Sequence, residues 1–227
     1  MDSVEKRTSS RREEAYNQLK QAIIDKSIAP GDMVNERRLA QTLGISRTPV
    51  REALQMLEAE RWVTVLPWRG VVVRPVTPEE VDEVFQLRLV LEPVVVEMLV
   101  GRISRAELYS LDELLRRQAR IASPDQGGQF IAIDQEFHLY LAEKSGNARL
   151  LSFMTQLRDI HLRLGVETVG NLNRFEATLK EHRAVVDALK EGNAMAAKQA
   201  MLYHIVHTHE AISSRVKKTP QNQGDAL

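Results

Sequence analysis

The sequence predicts a mainly α-helical chain in two parts: an N-terminal head of three helices closed by a β-hairpin, and a C-terminal all-α bundle of six helices. Three observations predict it. Gly44 and a short polar turn ending at Ser46 separate two helical stretches with apolar faces. Two β-rich runs, Trp62 to Leu66 and Gly70 to Arg74, flank Pro67-Trp68-Arg69. From Thr77 to about Lys217, apolar residues recur only at helical spacing.

Taken in order, residues 1–11 are polar and basic and read as a disordered arm. Ala15, Leu19, Ala22, Ile23 and Ile24 give a first helix from Arg12 to Lys26, which Pro30-Gly31 ends. Asn35 caps a short helix, Glu36 to Leu43, with Leu39, Ala40 and Leu43 inward. Ser46 is placed to cap the next helix, where Pro49 is tolerated in the first turn and Val50, Leu54 and Leu57 form the inner face. Two helices joined this tightly make a helix-turn-helix, the second being the reading helix. The hairpin that follows is then a wing with Arg69 and Gly70 at its tip, closing a winged helix-turn-helix domain over residues 12–75.

Residues 76–218 make the second domain, and 219–227 a polar tail read as disordered. Thr77-Pro78-Glu79-Glu80 and Ser104-Arg105-Ala106-Glu107 are capping boxes that start its first two helices. The helices are expected at 78–100, 105–121, 129–144, 148–168, 174–190 and 194–216.

Composition narrows the function. With 43% hydrophobic and 27% charged residues the chain reads as globular, and its most apolar stretch, Val84 to Val100, is broken by Arg88, Glu92 and Glu97, so no membrane span is expected. The first 14 residues hold no apolar core and do not read as a secretory signal. The absence of cysteine excludes disulfides and thiolate ligands and suits a cytoplasmic protein. Net charge is zero, but residues 1–75 hold 13 Lys and Arg against 10 Asp and Glu, and ten of those cations are Arg, the residue suited to bidentate contacts with phosphate and guanine.

Two constellations carry chemistry. Arg47 and Arg51 share one face at the front of the reading helix, with Arg37, Ser46, Thr48, Arg69 and Gly70 as further DNA contacts. In the bundle, Asp134 and His138 are one turn apart, and His182 and His204 sit among apolar neighbours on later helices. Spacing alone fits both a metal site and ordinary core histidines; an N3O set would suit Zn, Ni, Fe or Mn. Arg158 and Arg163, beside His161, are candidates for pairing with an anionic effector or for a solvated face. Arg88, in a largely apolar helix, needs either Glu92 at i+4 or an effector carboxylate. His207 and His209 read as surface or supporting residues.

SRTPVREAL, preceded by ERRLAQTLGI and followed by RGVVV, resembles the winged helix-turn-helix of GntR-family bacterial transcription regulators. DQEFHLYLAEKSGN, EHRAVVDALKEGN and AMLYH resemble the ligand-binding (FCD-type) domain of the FadR subfamily, and six helices point to its VanR-like branch. The resemblance implies a divalent metal held by Asp134, His138, His182 and His204. It further implies a homodimeric repressor on a two-fold DNA operator, released or retained by a small effector such as a carboxylate or sugar acid. Arg61 stands where the family usually has a helix-ending glycine; a left-handed residue there would be strained for Arg, so the sequence leaves the geometry of this cap open. Two alternatives remain at this level: a hydrolase-like enzyme using metal-activated water, although no general base or nucleophile accompanies the set, and a purely structural metal.

Overall fold

In a computed structural model the backbone is described for residues 2–165 and 172–216, and side chains for 11–123, 125–162 and 173–216. The chain divides into two compact units, Met1–Val76 and Thr77–Leu227. The predicted tail 219–227 lies outside the described residues.

The first unit contains α1 (Asp2–Ile24), β1 (Met33–Val34), α2 (Glu36–Leu43), α3 (Arg47–Ala59), β2 (Val63–Leu66) and β3 (Gly70–Val73). Helix α1 begins at Asp2, within the residues that the sequence reads as a polar, basic arm. That segment holds no proline or glycine, so nothing stops the helix once Arg12 onwards is helical; apolar periodicity, which starts only at Ala15, could not show this. Ala15, Leu19 and Ile23 recur every fourth residue and bury against Val50, Ala53, Leu54 and Leu57 of α3. Outside that seam, Glu60 ties α3 back to α1 by accepting from Tyr16 Oη at 2.7 Å and Lys20 Nζ at 3.0 Å.

Asn35 Oδ1 accepts from the backbone N–H groups of Arg37 and Arg38, as expected of an N-cap. Ser46 holds the N-cap position of α3 without a side-chain capping bond. At its other end α3 closes in a Schellman motif: Trp62 N–H donates to Leu57 O at 2.8 Å and Arg61 N–H to Glu58 O at 2.9 Å. Arg61 has φ 61°, so the left-handed cap forms although an Arg stands in the glycine position.

The strands order β1-β3-β2, all antiparallel, with Val63 opposite Val73 and Leu66 opposite Gly70. Alternation puts Val63, Val71 and Val73 on the face that packs beneath the helices; Val65 shares that face opposite Val71 but stays 40% exposed. The two-residue strand β1 was not anticipated; it is too short to show alternation.

The second unit is α4 (Pro78–Leu99), α5 (Arg105–Arg120), a 3-10 turn (Pro124–Gln126), α6 (Gly127–Lys144), α7 (Ala148–Gly165), α8 (Leu172–Lys190) and α9 (Ala194–Val216). Both predicted capping boxes form, at Thr77/Glu80 and Ser104/Glu107. Helix α6 starts two residues before the predicted position because Gly127 and Gly128 are taken into its first turn rather than spent on the connection. Helix α9 lies against α4 and α8, α6 against α5 and α7, and α5 against α8. Among the described residues no helix is long and apolar enough to cross a membrane.

Candidate metal centre and DNA-reading surface

The bundle core is not wholly apolar. On α4 the inward stripe Val81, Val84, Phe85, Val95, Val96 and Leu99 is interrupted by Arg88 and Glu92, each 2% exposed. The inward stripe of α5, Leu111, Leu114 and Leu115, continues to buried Gln118. Asp134 and His138 come from α6, His161 from α7, Glu181 and His182 from α8, and His204 from α9, all of them buried. Every helix of the bundle therefore sends at least one polar side chain to a common centre, where a buried polar group needs a partner.

The four residues singled out from the sequence meet. One ligand atom from each of Asp134, His138, His182 and His204 lies within 4.8 Å of all the others. His204 Nε2 stands 3.2 Å from His138 Nε2 and 3.4 Å from His182 Nε2. Asp134 Oδ1 is 3.4 Å from His182 Nε2, and its Oδ2 is 3.7 Å from His138 Nε2.

The opposite ring nitrogens explain this orientation. His204 Nδ1–H donates to Glu181 Oε2 at 2.8 Å, and His182 Nδ1–H to Gln118 Oε1 at 3.2 Å. Gln118 is turned that way because its own Nε2–H points to Phe130 O at 3.5 Å. His138 Nδ1 stands 2.6 Å from Glu92 Oε2, an ion-pair distance off the hydrogen-bond axis. With each Nδ1 carrying the proton, three Nε2 lone pairs and one carboxylate face a single point, an arrangement a cation stabilises and its absence leaves repulsive. These four separations, 3.2 to 3.7 Å, are of the size expected between neighbouring ligands of one ion bound at about 2.0–2.1 Å. The set fits a divalent metal.

Protonation states agree. Burial pushes His182 and His161 well below the ordinary imidazole range, reinforced by His204 at His182 and by Arg88 at His161. Burial also lowers His204, against the opposing bond to Glu181. For Asp134 burial acts upward, but the imidazoles of His182, His138 and His204 outweigh it and hold the carboxyl well below its usual range. Glu92 is likewise lowered, with burial overcome by the Arg88 guanidinium and by His138. Neutral imidazoles and an ionised carboxylate are the forms that ligate.

Arg88 joins this centre. Its Nε donates to Glu92 Oε1 at 2.5 Å, Nη1 to His161 Nδ1 at 2.9 Å and Nη2 to His138 Nε2 at 3.2 Å. Arg158 goes elsewhere: it is half-exposed, and its guanidinium donates to Asp159 at 2.9 and 3.0 Å. The Arg163 side chain lies outside the described residues. His207 Nδ1–H donates to Tyr203 O, and His209 bonds Asp82 at 2.6 Å while stacking on Phe85. Sequence reasoning missed Gln118 and Glu181 and assigned Glu92 only to Arg88. The available signal was polarity at a core-facing helical position, which Gln118 and Glu92 both show.

In the first unit, Arg37, Ser46, Arg47, Thr48, Arg51, Arg69 and Gly70 are all exposed. Arg47 and Arg51 stand side by side, each with Nη2 3.4 Å from Glu36 Oε2, with side chains about three-fifths exposed. Apolar anchoring behind them by Val50, Leu54 and Leu57 leaves the basic face of α3 free for a duplex.

Residues 11–73 match the model for bacterial regulatory proteins of the gntR family, and residues 83–207 match the FCD domain. The chain is 31% identical over 209 residues to the HTH-type transcriptional regulator YdhC of Bacillus subtilis, covering 91% of this chain and 93% of that one. It is 24% identical to the HTH-type transcriptional repressor RspR of Escherichia coli, over 94% and 92% of the two chains. Among solved structures it superposes on E. coli McbR/YncC with a TM-score of 0.74 at 23% identity, covering 90% and 97%, a likeness of fold. A GntR-family regulator from Pseudomonas syringae pv. tomato gives 0.52 at 26% identity, covering 92% and 86%. These relatives are transcription regulators and not enzymes, which removes the hydrolase alternative. A DNA-reading head of one known type and a helical domain of another, in one chain and in this order, place the protein in the GntR family of bacterial DNA-binding transcription regulators, with an FCD domain at its C-terminal side.

Proposed function

We propose that the protein is a cytoplasmic homodimeric repressor. A divalent ion held by Asp134, His138, His182 and His204 receives a small organic acid, and that event changes the affinity for a two-fold operator. The observation that carries the reading is the convergence of three Nε2 atoms and one carboxylate, with His182 and His204 hydrogen-bonded from behind by Gln118 and Glu181 and with Glu92 2.6 Å behind His138. Four protein ligands leave room for an anion on an ion that accepts five or six. Arg88, with its guanidinium at the same centre, supplies the positive charge that would orient a carboxylate. Leu87, Val90 and Val94 support dimerisation: they form an exposed apolar stripe on α4, 40%, 66% and 44% accessible. Arg47 and Arg51 would read guanine edges or adjoining phosphates in each half-site, with Arg37, Ser46 and Thr48 on the backbone and Arg69 and Gly70 at the minor groove.

Metal analysis of the purified chain should return about one divalent ion per protomer, lost in His138→Ala/His182→Ala. A thermal-shift screen of carboxylates and sugar acids on the loaded protein, followed by gel shifts on the region upstream of its own gene, identifies the effector and the sign of regulation. Arg47→Ala and Arg51→Ala should each weaken binding by about 1–3 kcal/mol. Wild-type affinity in both would sink the reading-helix assignment. Chelation that lowers the melting temperature but leaves effector affinity of the folded protein unchanged would make the metal purely structural.

A further inference from the structure

The wing carries a side chain that the DNA contacts named so far do not include. The protein has two tryptophans. Trp62 is 1% exposed in the core, whereas Trp68 is 105% exposed. Arg69 N–H donates to Leu66 O at 3.1 Å, closing a four-residue turn with Pro67 second and Trp68 third. Trp68 there has φ 64°, at a position whose usual occupant in a proline-initiated turn is glycine or asparagine. A bulky residue is thus held in a left-handed conformation with its whole indole in water. Among the described residues of the domain nothing offsets either cost.

The surroundings say what could. Trp68 lines the same concavity as Glu36, Arg51, Gln55 and Glu58 of the helices and Val65 and Gly70 of the wing; Glu36 there faces Arg51 at 3.4 Å and Glu58 accepts from Val65 N–H. The indole therefore borders the face on which the reading helix presents its cations. Arg69 beside it is exposed, and Gly70 has φ 111°. The φ of Gly70 is one that side chains rarely adopt, so the backbone next to the indole stays bare.

We propose that Trp68 is a DNA contact: when α3 enters the major groove, the wing tip lays the indole against the sugar edges of the neighbouring minor groove, beside Arg69. This rests on the duplex-binding role of the winged domain. Duplex DNA is the partner that fits, because the patch pairs one large apolar ring with guanidinium groups, and a minor groove offers apolar deoxyribose walls between phosphates. The ring contributes contact area rather than charge, so its share of the affinity is independent of salt, unlike that of the arginines.

The test uses the full-length protein and a duplex that it selects from a random-sequence pool. Trp62 is sealed in the core, so the fluorescence that acrylamide quenches in the free protein comes from Trp68. That quenchable fraction should fall on adding the selected duplex. Trp68→Ala should weaken binding about tenfold and leave the dependence of log Kd on log salt unaltered. Trp68→Gly should weaken binding equally while raising the melting temperature, because glycine relieves the turn. An indole as quenchable in the complex as in the free protein overturns the proposal, as does Trp68→Gly with undiminished affinity. So does shielding that appears with protein concentration alone, since the ring then meets a second copy. A pool that yields no selected duplex defeats the DNA-binding reading itself rather than the assignment of Trp68.

Discussion

Arg88 and Glu92 stand one turn apart on α4, both almost wholly buried, with Nε and Oε1 2.5 Å apart. Removing one member leaves the other as an uncompensated charge inside the bundle. Arg88→Ala should therefore destabilise the bundle by about 3–5 kcal/mol, measured by urea unfolding. The double variant Arg88→Met/Glu92→Leu should lose markedly less, because no lone charge remains. Equal losses would show that the pair is not coupled.

Glu181 accepts from His204 Nδ1 on one side and receives a bidentate grip from Arg174 on the other, at 2.7 and 2.6 Å. Glu181→Gln keeps an acceptor for the imidazole and removes the charge. Metal affinity should drop about 10–100-fold with the fold retained, read by competition with a chromophoric chelator. Unchanged affinity would reduce Glu181 to a partner of Arg174.

Acid should act on the bundle in two stages. His161 and His182 are held neutral by burial, whereas in the unfolded chain they take up protons near pH 6.5. Their lowered folded pKa means that stability falls as pH drops below about 6.5, by up to about 1.4 kcal/mol per pH unit for each group. Asp134 and Glu92, also lowered in the fold, add a second loss as pH falls through the ordinary carboxylate range near 4. Melting temperature measured from pH 8 to pH 2.5 should be level at first, decline below about pH 6.5, and decline more steeply below about pH 4. A flat curve down to pH 5 would contradict the assignment of neutral, buried histidines.

At the end of α3 the Schellman motif places Arg61 at φ 61°. Arg61→Gly should stabilise the first unit by about 0.5–1 kcal/mol, since glycine adopts that conformation without steric cost but gives up more chain entropy. Equilibrium unfolding compared with wild type checks this. A loss of stability would mean that contacts of the Arg61 side chain outweigh the backbone strain.

What the sequence revealed of this molecule follows physical range. Capping boxes at Thr77 and Ser104 are local chemistry, and both helix starts fell where those residues put them. Asp134 and His138 could be joined by helix geometry alone, and their meeting with His182 and His204 was expected from family resemblance before it was seen. Gln118 and Glu181 were not found because their role depends on how α5 and α8 are rotated toward the centre, which spacing within one helix does not fix. Arg158, for which the sequence left both an effector contact and a solvated face open, is half-exposed and pairs with Asp159. Strand β1 escaped notice because its two residues owe their conformation to β3 across the sheet.

The polar centre takes a side chain from each of α4, α5, α6, α7, α8 and α9. A site built this way has no local owner. Sliding any one helix by a fraction of a turn would misplace a ligand or the group that aims it, so occupancy would report the arrangement of the whole bundle. The relation also runs backwards: a molecule that reshapes the centre has a handle on all six helices at once, among them α4, whose N-cap Thr77 follows Val76 in the chain. No dedicated signalling element is then required, because the ligand sphere and the architecture are the same object.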